Sequence, residues 1–429
     1  VTHRPPTRER RTTYGEVFAV AEFRTLFGSV LTSSLGDELA RLALTLLVYA
    51  RTDSALLAAV TFGVSYLPWV LGGPVLSSLA DRLPRHRVMI TSDVARAVLV
   101  AVMAVPGVPL PVLIGLMLLA SLCAPPFESA RSALSAVVLE GDRYAVGTSV
   151  QGVTLQLVQV VGFLLSGVLV HAYGASAALL VAAGAYAASA ALVSRGLVRR
   201  PAPAPESGDA GSVWSDTAAG LAFVARAPRL LAIVGVLWLG CLFLDAPTGL
   251  ASGLSDEFGG GSRTASVLVA ASSAGTVVGG VLVGRFCSAR RREALLVPLV
   301  LLSLTSVLLA GLAPRVLPDG RPTVVAVTAL FVLAGIGGSW TIPLNVAFVQ
   351  AVPDEFRGRA FGVAVAGLSG SQGLGIVLAG LAAEAALPST VVAGCGALGL
   401  LAVLAPLVAL VRTRPRAGAE PAATGPSGA

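Results

Sequence analysis

The stretch Gly72-Gly73-Pro74-Val75-Leu76-Ser77-Ser78-Leu79-Ala80-Asp81-Arg82-Leu83-Pro84-Arg85-His86-Arg87 decides how the chain is read. A long apolar segment ends here in a compact charged turn, Asp81, Arg82, Arg85 and Arg87, and a second apolar segment starts at once with Val88. A short basic turn between two apolar runs is the pattern of two membrane helices joined on the cytoplasmic side.

Working outward, the whole chain has the same character. Of 429 residues, 55% are hydrophobic and only 12% charged, more apolar surface than a soluble core could bury. A bilayer-spanning helix needs roughly 20 mostly apolar residues. That rule predicts an all-α membrane protein with spans near 25–50, 55–79, 88–107, 110–130, 146–170, 174–194, 229–251, 263–286, 294–313, 322–350, 359–383 and 388–411. These are twelve spans, six on each side of the one long polar interruption. The expected organisation is a cytoplasmic segment 1–24, a six-helix bundle 25–196, a linker 197–228, a second bundle 229–412 and a disordered tail 413–429. Within the linker, Trp214 to Ala227 suits a short amphipathic helix on the membrane surface. The apolar run after residue 24 is too long for a signal-peptide core and reads as a retained first span.

All 30 basic residues are Arg, and the net charge is +7. Their distribution is topological. With a cytoplasmic N-terminus, the external loops hold only Arg51, Arg263, Arg315 and Arg321, Arg41 and Arg96 sit within spans, and the others fall inside. Both termini are then cytoplasmic in a multi-pass protein of the cell membrane. The Arg residues track the membrane face, so no nucleic-acid partner is expected. Cys123, Cys241, Cys287 and Cys395 show no pairing or metal spacing, and the three His are scattered. With no phosphate-binding loop or nucleophile and base set in the sequence, neither a cofactor nor an enzyme activity is expected.

The halves echo each other. Gly72-Gly73 recurs as Gly279-Gly280, and Gly162 and Gly167 recur as Gly375 and Gly380. The turn Glu140-Asp142-Arg143 has a counterpart in Asp354-Glu355-Arg357-Gly358-Arg359. A shared offset across matched glycines and turns is the mark of duplicated transporter halves with a site near the midplane.

Asp37, Glu38 and Arg41 fall near the middle of span 1, where each charge costs about 2.5–3.5 kcal/mol on insertion scales. Both acids lie within a helical turn of Arg41. One guanidinium neutralises one carboxylate, so the other is a candidate proton carrier; the alternative is a structural ion pair with the second acid at the interface. Asp245 in span 7 has no basic residue within one turn and shares a helical face with Trp238 and Cys241, which points it into a cavity, or else to the outer mouth. Gln156, Gln159, Asn345, Gln350 and Gln372 are neutral polar groups in apolar spans. Bonding between helices is their ordinary use, with Gln156, Gln159 and Asn345, together with Trp238, also candidates for substrate contact. Asp93 with Arg96, and Glu128 with Arg131, are charge pairs one turn apart toward the inner ends of spans 3 and 4.

The charged turn, with the six-plus-six pattern and the repeat, resembles the signature Gly-x-x-x-Asp-Arg-x-Gly-Arg-Arg of the major facilitator superfamily. Asp81, Arg82 and Arg85 match it, while Ser77, Pro84 and His86 depart from it. Phe23-Arg24-Thr25-Leu26-Phe27, Leu35-Gly36-Asp37, Ala80-Asp81-Arg82, Asp93 with Arg96, and Val352-Pro353-Asp354-Glu355-Phe356-Arg357-Gly358-Arg359 resemble its drug, macrolide and siderophore efflux branch. The stretch Gly162 to Gly167 loosely resembles the antiporter motif Gly-Pro-x-x-Gly-Gly, with Phe163 and Ser166 departing from it.

The resemblance implies alternating access by rocking of two pseudo-symmetric six-helix bundles, with export driven by proton influx. It assigns Asp81, Arg82, Arg85, Arg87, Asp93, Arg96, Glu128, Arg131, Asp354, Glu355, Arg357 and Arg359 to a cytoplasmic gate. The expectation is therefore a monomeric, proton-coupled exporter of small hydrophobic compounds in a lipid bilayer. An importer, a uniporter or a non-transporting receptor of the same fold are the alternatives.

Overall fold

The computed structural model describes residues 13–71, 83–201, 221–318, 320–353 and 357–413, and among these every regular element is helical. After a short turn of helix, Tyr14–Phe18, the chain forms α1 (Ala21–Thr52) and α2, which runs Ala55–Gly63, through a 3-10 turn at Val64–Tyr66, to Leu67–Leu71. Then come α3 (Arg85–Met103), α4 (Leu110–Leu122 and Ala124–Val138), α5 (Asp142–Tyr173) and α6 (Ala175–Gly196). The second half holds α7 (Pro228–Asp245, 3-10 Ala246–Leu250, Ala251–Glu257), α8 (Ser262–Phe286), α9 (Ala289–Leu312), α10 (Arg321–Gly338 and Thr341–Ala351), α11 (Arg357–Ala382) and α12 (Pro388–Arg412). Nine helices are long and apolar enough to cross a membrane among the described residues. Every 18-residue stretch of α1 and of α3 holds more than two charged residues, and α2 is described only to residue 71.

The interruptions have a common chemical cause. Pro68 follows the 3-10 turn of α2, Pro125 the break at Cys123, Pro247 sits in the 3-10 segment of α7, and Pro343 follows the break at Ser339 and Trp340. Each proline removes a backbone donor and crowds the preceding turn. Hydrophobicity alone predicts α4 and α10 as continuous spans; the prolines divide them. The expected boundary of span 4 at residue 130 is also short, because helix continues to Val138. Residues 221–226 of the expected surface helix are helical, and 202–220 lie outside the described residues, as do Gly72 and Gly73.

Loop contacts fix the ends. Arg51 Nη1 donates to the Val108 carbonyl at 3.0 Å, so the α1–α2 and α3–α4 loops meet at one end of the molecule. At this Arg51 end the two halves also join. Glu384, after α11, accepts hydrogen bonds from Ser54 Oγ at 2.8 Å and from the Leu56 backbone N–H at 3.2 Å, capping the start of α2. Deeper in, a Cβ on Gly63 would stand 3.2 Å from the Gly373 carbonyl, and Gly167 of α5 abuts Ser266 of α8. At the opposite end, Arg200 clasps Glu22 with two bonds of 2.9 and 2.7 Å, tying the segment after α6 to the start of α1.

Candidate functional site

A cavity of about 350 Å³ lies between the halves. Tyr66, Gln156 and Gln159 line it from α2 and α5; Leu237, Cys241, Asp245, Thr276, Leu344, Asn345, Phe348, Phe361, Leu368 and Gln372 line it from α7, α8, α10 and α11. The helical breaks help to build this space. The 3-10 turn of α2 presents Tyr66, the 3-10 segment of α7 begins directly after Asp245, and the break in α10 precedes Thr341 to Phe348. A second space of about 480 Å³ runs between α5 and α8, past Gly152, Gly280 and Arg285. It shares Gln156, Thr276 and Thr341 with the first.

Asp245 stands at the end of the cavity where the halves close. The next residues, Ala246–Leu250, carry Gly249 onto Ala59 of α2 and Ile376 of α11. Its Oδ2 accepts a hydrogen bond from Gln372 Nε2 at 2.9 Å. Gln372, expected as glue between helices, does that work here by joining α11 to α7. Gln156, Gln159 and Asn345 reach the lining of the cavity. Trp238 does not: its Nε1 donates to the Ala364 carbonyl at 3.2 Å and its ring lies against Gly367, so the indole is turned to α11 and is absent from the lining. The shared face inferred from helical spacing holds for Cys241 and Asp245 only.

The acids of α1 separate. Glu38 pairs with Arg41 at 3.4 Å, and the Arg41 guanidinium lies over the rings of Phe62 and Tyr66, at 5.5 and 5.6 Å. Tyr66 therefore stands between this ion pair and the cavity. Asp37 faces the other way, where it lies 3.8 Å from Arg96 and accepts a 2.7 Å bond from the Tyr186 hydroxyl. Asp37 is thus not left over from Arg41's pairing, as spacing within one helix suggests; a guanidinium from α3 serves it.

The expected gate is divided as well. Asp93 and Arg96 lie eight and eleven residues into α3, roughly 12 and 16 Å along its axis, and are buried against α1 and α6 instead of joining the loop. Arg85 reaches the Ala133 carbonyl of α4 at 3.4 Å, and Arg87 is exposed. Glu128 and Arg131 form an ion pair, with Arg131 Nε donating to Glu128 Oε2 at 2.8 Å and Nη1 to Gln151 Oε1 at 2.8 Å, so α4 is tied to α5. Asp81, Arg82, Asp354 and Glu355 lie outside the described residues, as do the side chains of Arg357 and Arg359. Tyr66 and Tyr186 were not legible as site residues. Their signal was present, since a phenol inside an apolar span has to find a polar partner.

An all-helical membrane fold whose halves enclose a cavity at their interface, reached by polar groups from both, is the arrangement expected of a multi-pass membrane transporter. Comparison with known proteins agrees. The family model of the Major Facilitator Superfamily matches twice, over residues 23–251 and 244–427, and the chain belongs to that superfamily. It is 27% identical over 390 residues to the uncharacterised MFS-type transporter YfiS of Bacillus subtilis (strain 168), spanning 90% of this chain and 92% of that one. Solved structures share the fold. A POT family transporter in complex with a thioalcohol-conjugated peptide aligns with TM-score 0.72 at 14% identity over 91% of this chain and 96% of its own. The nucleoside transporter NupG aligns with TM-score 0.71 at 14% identity over 91% and 99%.

Proposed function

We propose that the protein is a proton-coupled exporter of small hydrophobic compounds, with twelve spans, both termini cytoplasmic, working as an antiporter in the cell membrane. The observation that carries this reading is Asp245. A carboxylate with one neutral hydrogen-bond partner stands at the closed end of a cavity whose other walls mix apolar side chains with neutral hydroxyls and amides and, among the described residues, carry no other charge. Such a group binds either a proton or the cationic end of a lipophilic substrate, and competition between the two couples their movements. The Arg51 end is assigned to the outside by the positive-inside rule, so the contacts of Glu384 with Ser54 and Leu56 form the closed outer side. The cavity, reaching Phe348 and Phe361 toward the opposite end, then faces the cytoplasm. Gln156, Gln159 and Asn345 supply neutral hydrogen bonds, which suits compounds with few fixed charges better than zwitterionic peptides.

The test is efflux of a lipophilic fluorescent cation from proteoliposomes under an imposed pH gradient. Gradient-driven efflux in the native protein and its loss in Asp245→Asn, with unchanged solubility and elution, is the expected outcome. Efflux that ignores both gradient and substitution assigns a uniporter and returns Asp245 to a structural role.

A further inference from the structure

Among the described residues, the charges that α1 and α3 bring together do not balance. Glu38, Asp37 and Asp93 face two guanidinium groups, Arg41 and Arg96. Arg41 belongs to Glu38, so Arg96 is left between two carboxylates, with its Nη1 3.8 Å from Asp37 Oδ2 and 3.5 Å from Asp93 Oδ1. When both are ionised the triad carries one net negative charge in surroundings where a charge is expensive.

The two acids are not equivalent. Asp37 has about a third of its side chain exposed and a strong hydrogen bond from Tyr186. Asp93 is fully buried. Its Oδ1 accepts from Ser33 Oγ at 2.9 Å, and Ser33 in turn accepts from Arg96 Nη1 at 3.1 Å. Its Oδ2 has no hydrogen-bond partner. Among the described residues, the groups around it offer no second cation. From α1 there are Ser33 and Asp37, and from α4 Phe127, lying under the Arg96 guanidinium at 5.2 Å, and the thiol of Cys123. From α6 there are Tyr186, whose hydroxyl is committed to Asp37, and Ser189, whose single hydroxyl proton is shared between the Ser29 carbonyl at 3.0 Å and Asp93. A bare anionic oxygen in such a place costs several kcal/mol, far more than a neutral carboxylic acid does.

We infer that Asp93 is a proton-binding site separate from the substrate cavity, holding one proton on its unpartnered Oδ2 and exchanging it by way of the partly exposed Asp37 around Arg96. Protonation adds H⁺ to the carboxylate and leaves Arg96 neutralised by Asp37 alone; release restores two acids competing for one guanidinium. Because the triad joins α1 to α3, and Tyr186 of α6 holds Asp37, the proton's arrival alters how three helices of this half hold one another. Its use in transport rests on the proton-coupled reading above, but the binding of the proton does not.

The test is a pH titration of the purified protein in lipid nanodiscs by infrared spectroscopy, following the C=O stretch of protonated carboxylic acids without any substrate. One band is expected to be present in the native protein and in Asp245→Asn and missing from Asp93→Asn, a near-isosteric change that keeps an oxygen for Ser33. Arg96→Met, which leaves both acids unpaired, is expected to move the band's disappearance to higher pH. Identical spectra for native protein and Asp93→Asn across the titration, with both eluting as folded protein, overturn the inference. A failed efflux assay with this band intact removes the exporter reading and leaves the proton site standing.

Discussion

In the first half α1 meets α6 through side chains: the Tyr186 ring lies 3.1 Å from where a Cβ on Gly36 would sit, and the Tyr186 hydroxyl holds Asp37. In the second half α8 meets α10 backbone to backbone, so that a Cβ on Gly335 would collide with the carbonyl of Ser272, and one on Gly275 with that of Val332. The α9–α12 contact is of the same kind, with Gly396 against the backbone of Leu308. A ring and its hydroxyl can tilt and re-form their contacts, whereas two backbones in contact have one arrangement. The half that encloses the Asp37–Arg96–Asp93 triad is thus the adjustable one. The half that places Asp245 is the rigid one, as a binding wall requires.

The comparison breaks most visibly at the glycines. Gly335→Ala forces α8 and α10 apart and is expected to cost about 3 kcal/mol, at the upper end of overpacking effects. Gly36→Ala asks for a shift of Tyr186 and a few tenths of an ångström from the Ala182 carbonyl, 3.2 Å away, and is expected to cost about 1 kcal/mol. Thermal unfolding of the two purified variants measures both, and equal losses would remove the distinction between the halves.

A smaller effect tests how the halves are joined. Glu384→Gln weakens an exposed, charge-assisted cap on the first turn of α2. A loss under about 1 kcal/mol corresponds to a few-fold gain in conformers opened at the Arg51 end. Spin labels placed on the α1–α2 and α11–α12 loops would report it as a longer-distance population, and an unchanged distribution would make Glu384 a cap without influence on opening.

The smallest effect concerns the tie between α1 and the segment after α6. The hydrogen bonds from Arg200 hold the Glu22 carboxyl below its ordinary 4.5, with the Val198 N–H and the charge of Arg200 adding to them and partial burial opposing. A carboxylate lowered in the folded state contributes stability that is fully present above the unfolded value and is lost as pH falls through the folded one. Glu22→Gln is expected to lower stability by about 0.5 kcal/mol, as a partly exposed pair does. The gap from the native protein should be full above about pH 4.5 and close as the pH falls further, which melting curves at a series of pH values would show.

Much of the candidate site was visible before any contact was known. Asp245, Gln156, Gln159 and Asn345 stand out as polar residues in apolar spans, and all four line the cavity. Trp238 misled because helical spacing places three residues on one face without saying how wide a cavity that face meets; Gly367 makes room for the indole on α11 instead. Asp93 and Arg96 misled because their nearness in sequence to the charged turn hid how far a helix carries them from it.

By itself the sequence determined that this chain lies in a membrane, that it is built of two matched runs of helices, and which charges had to be hidden or paired, because the cost of polar groups in hydrocarbon depends on composition and periodicity alone. The tertiary structure decided which acid each arginine serves. Asp37 and Glu38 are neighbours within one turn of Arg41, and only the packing of α3 and α6 against α1 brings Arg96 and Tyr186 to Asp37, 59 and 149 residues away along the chain. Local spacing fixes which residues share a helix face, and it is the neighbouring helix that fixes what that face meets.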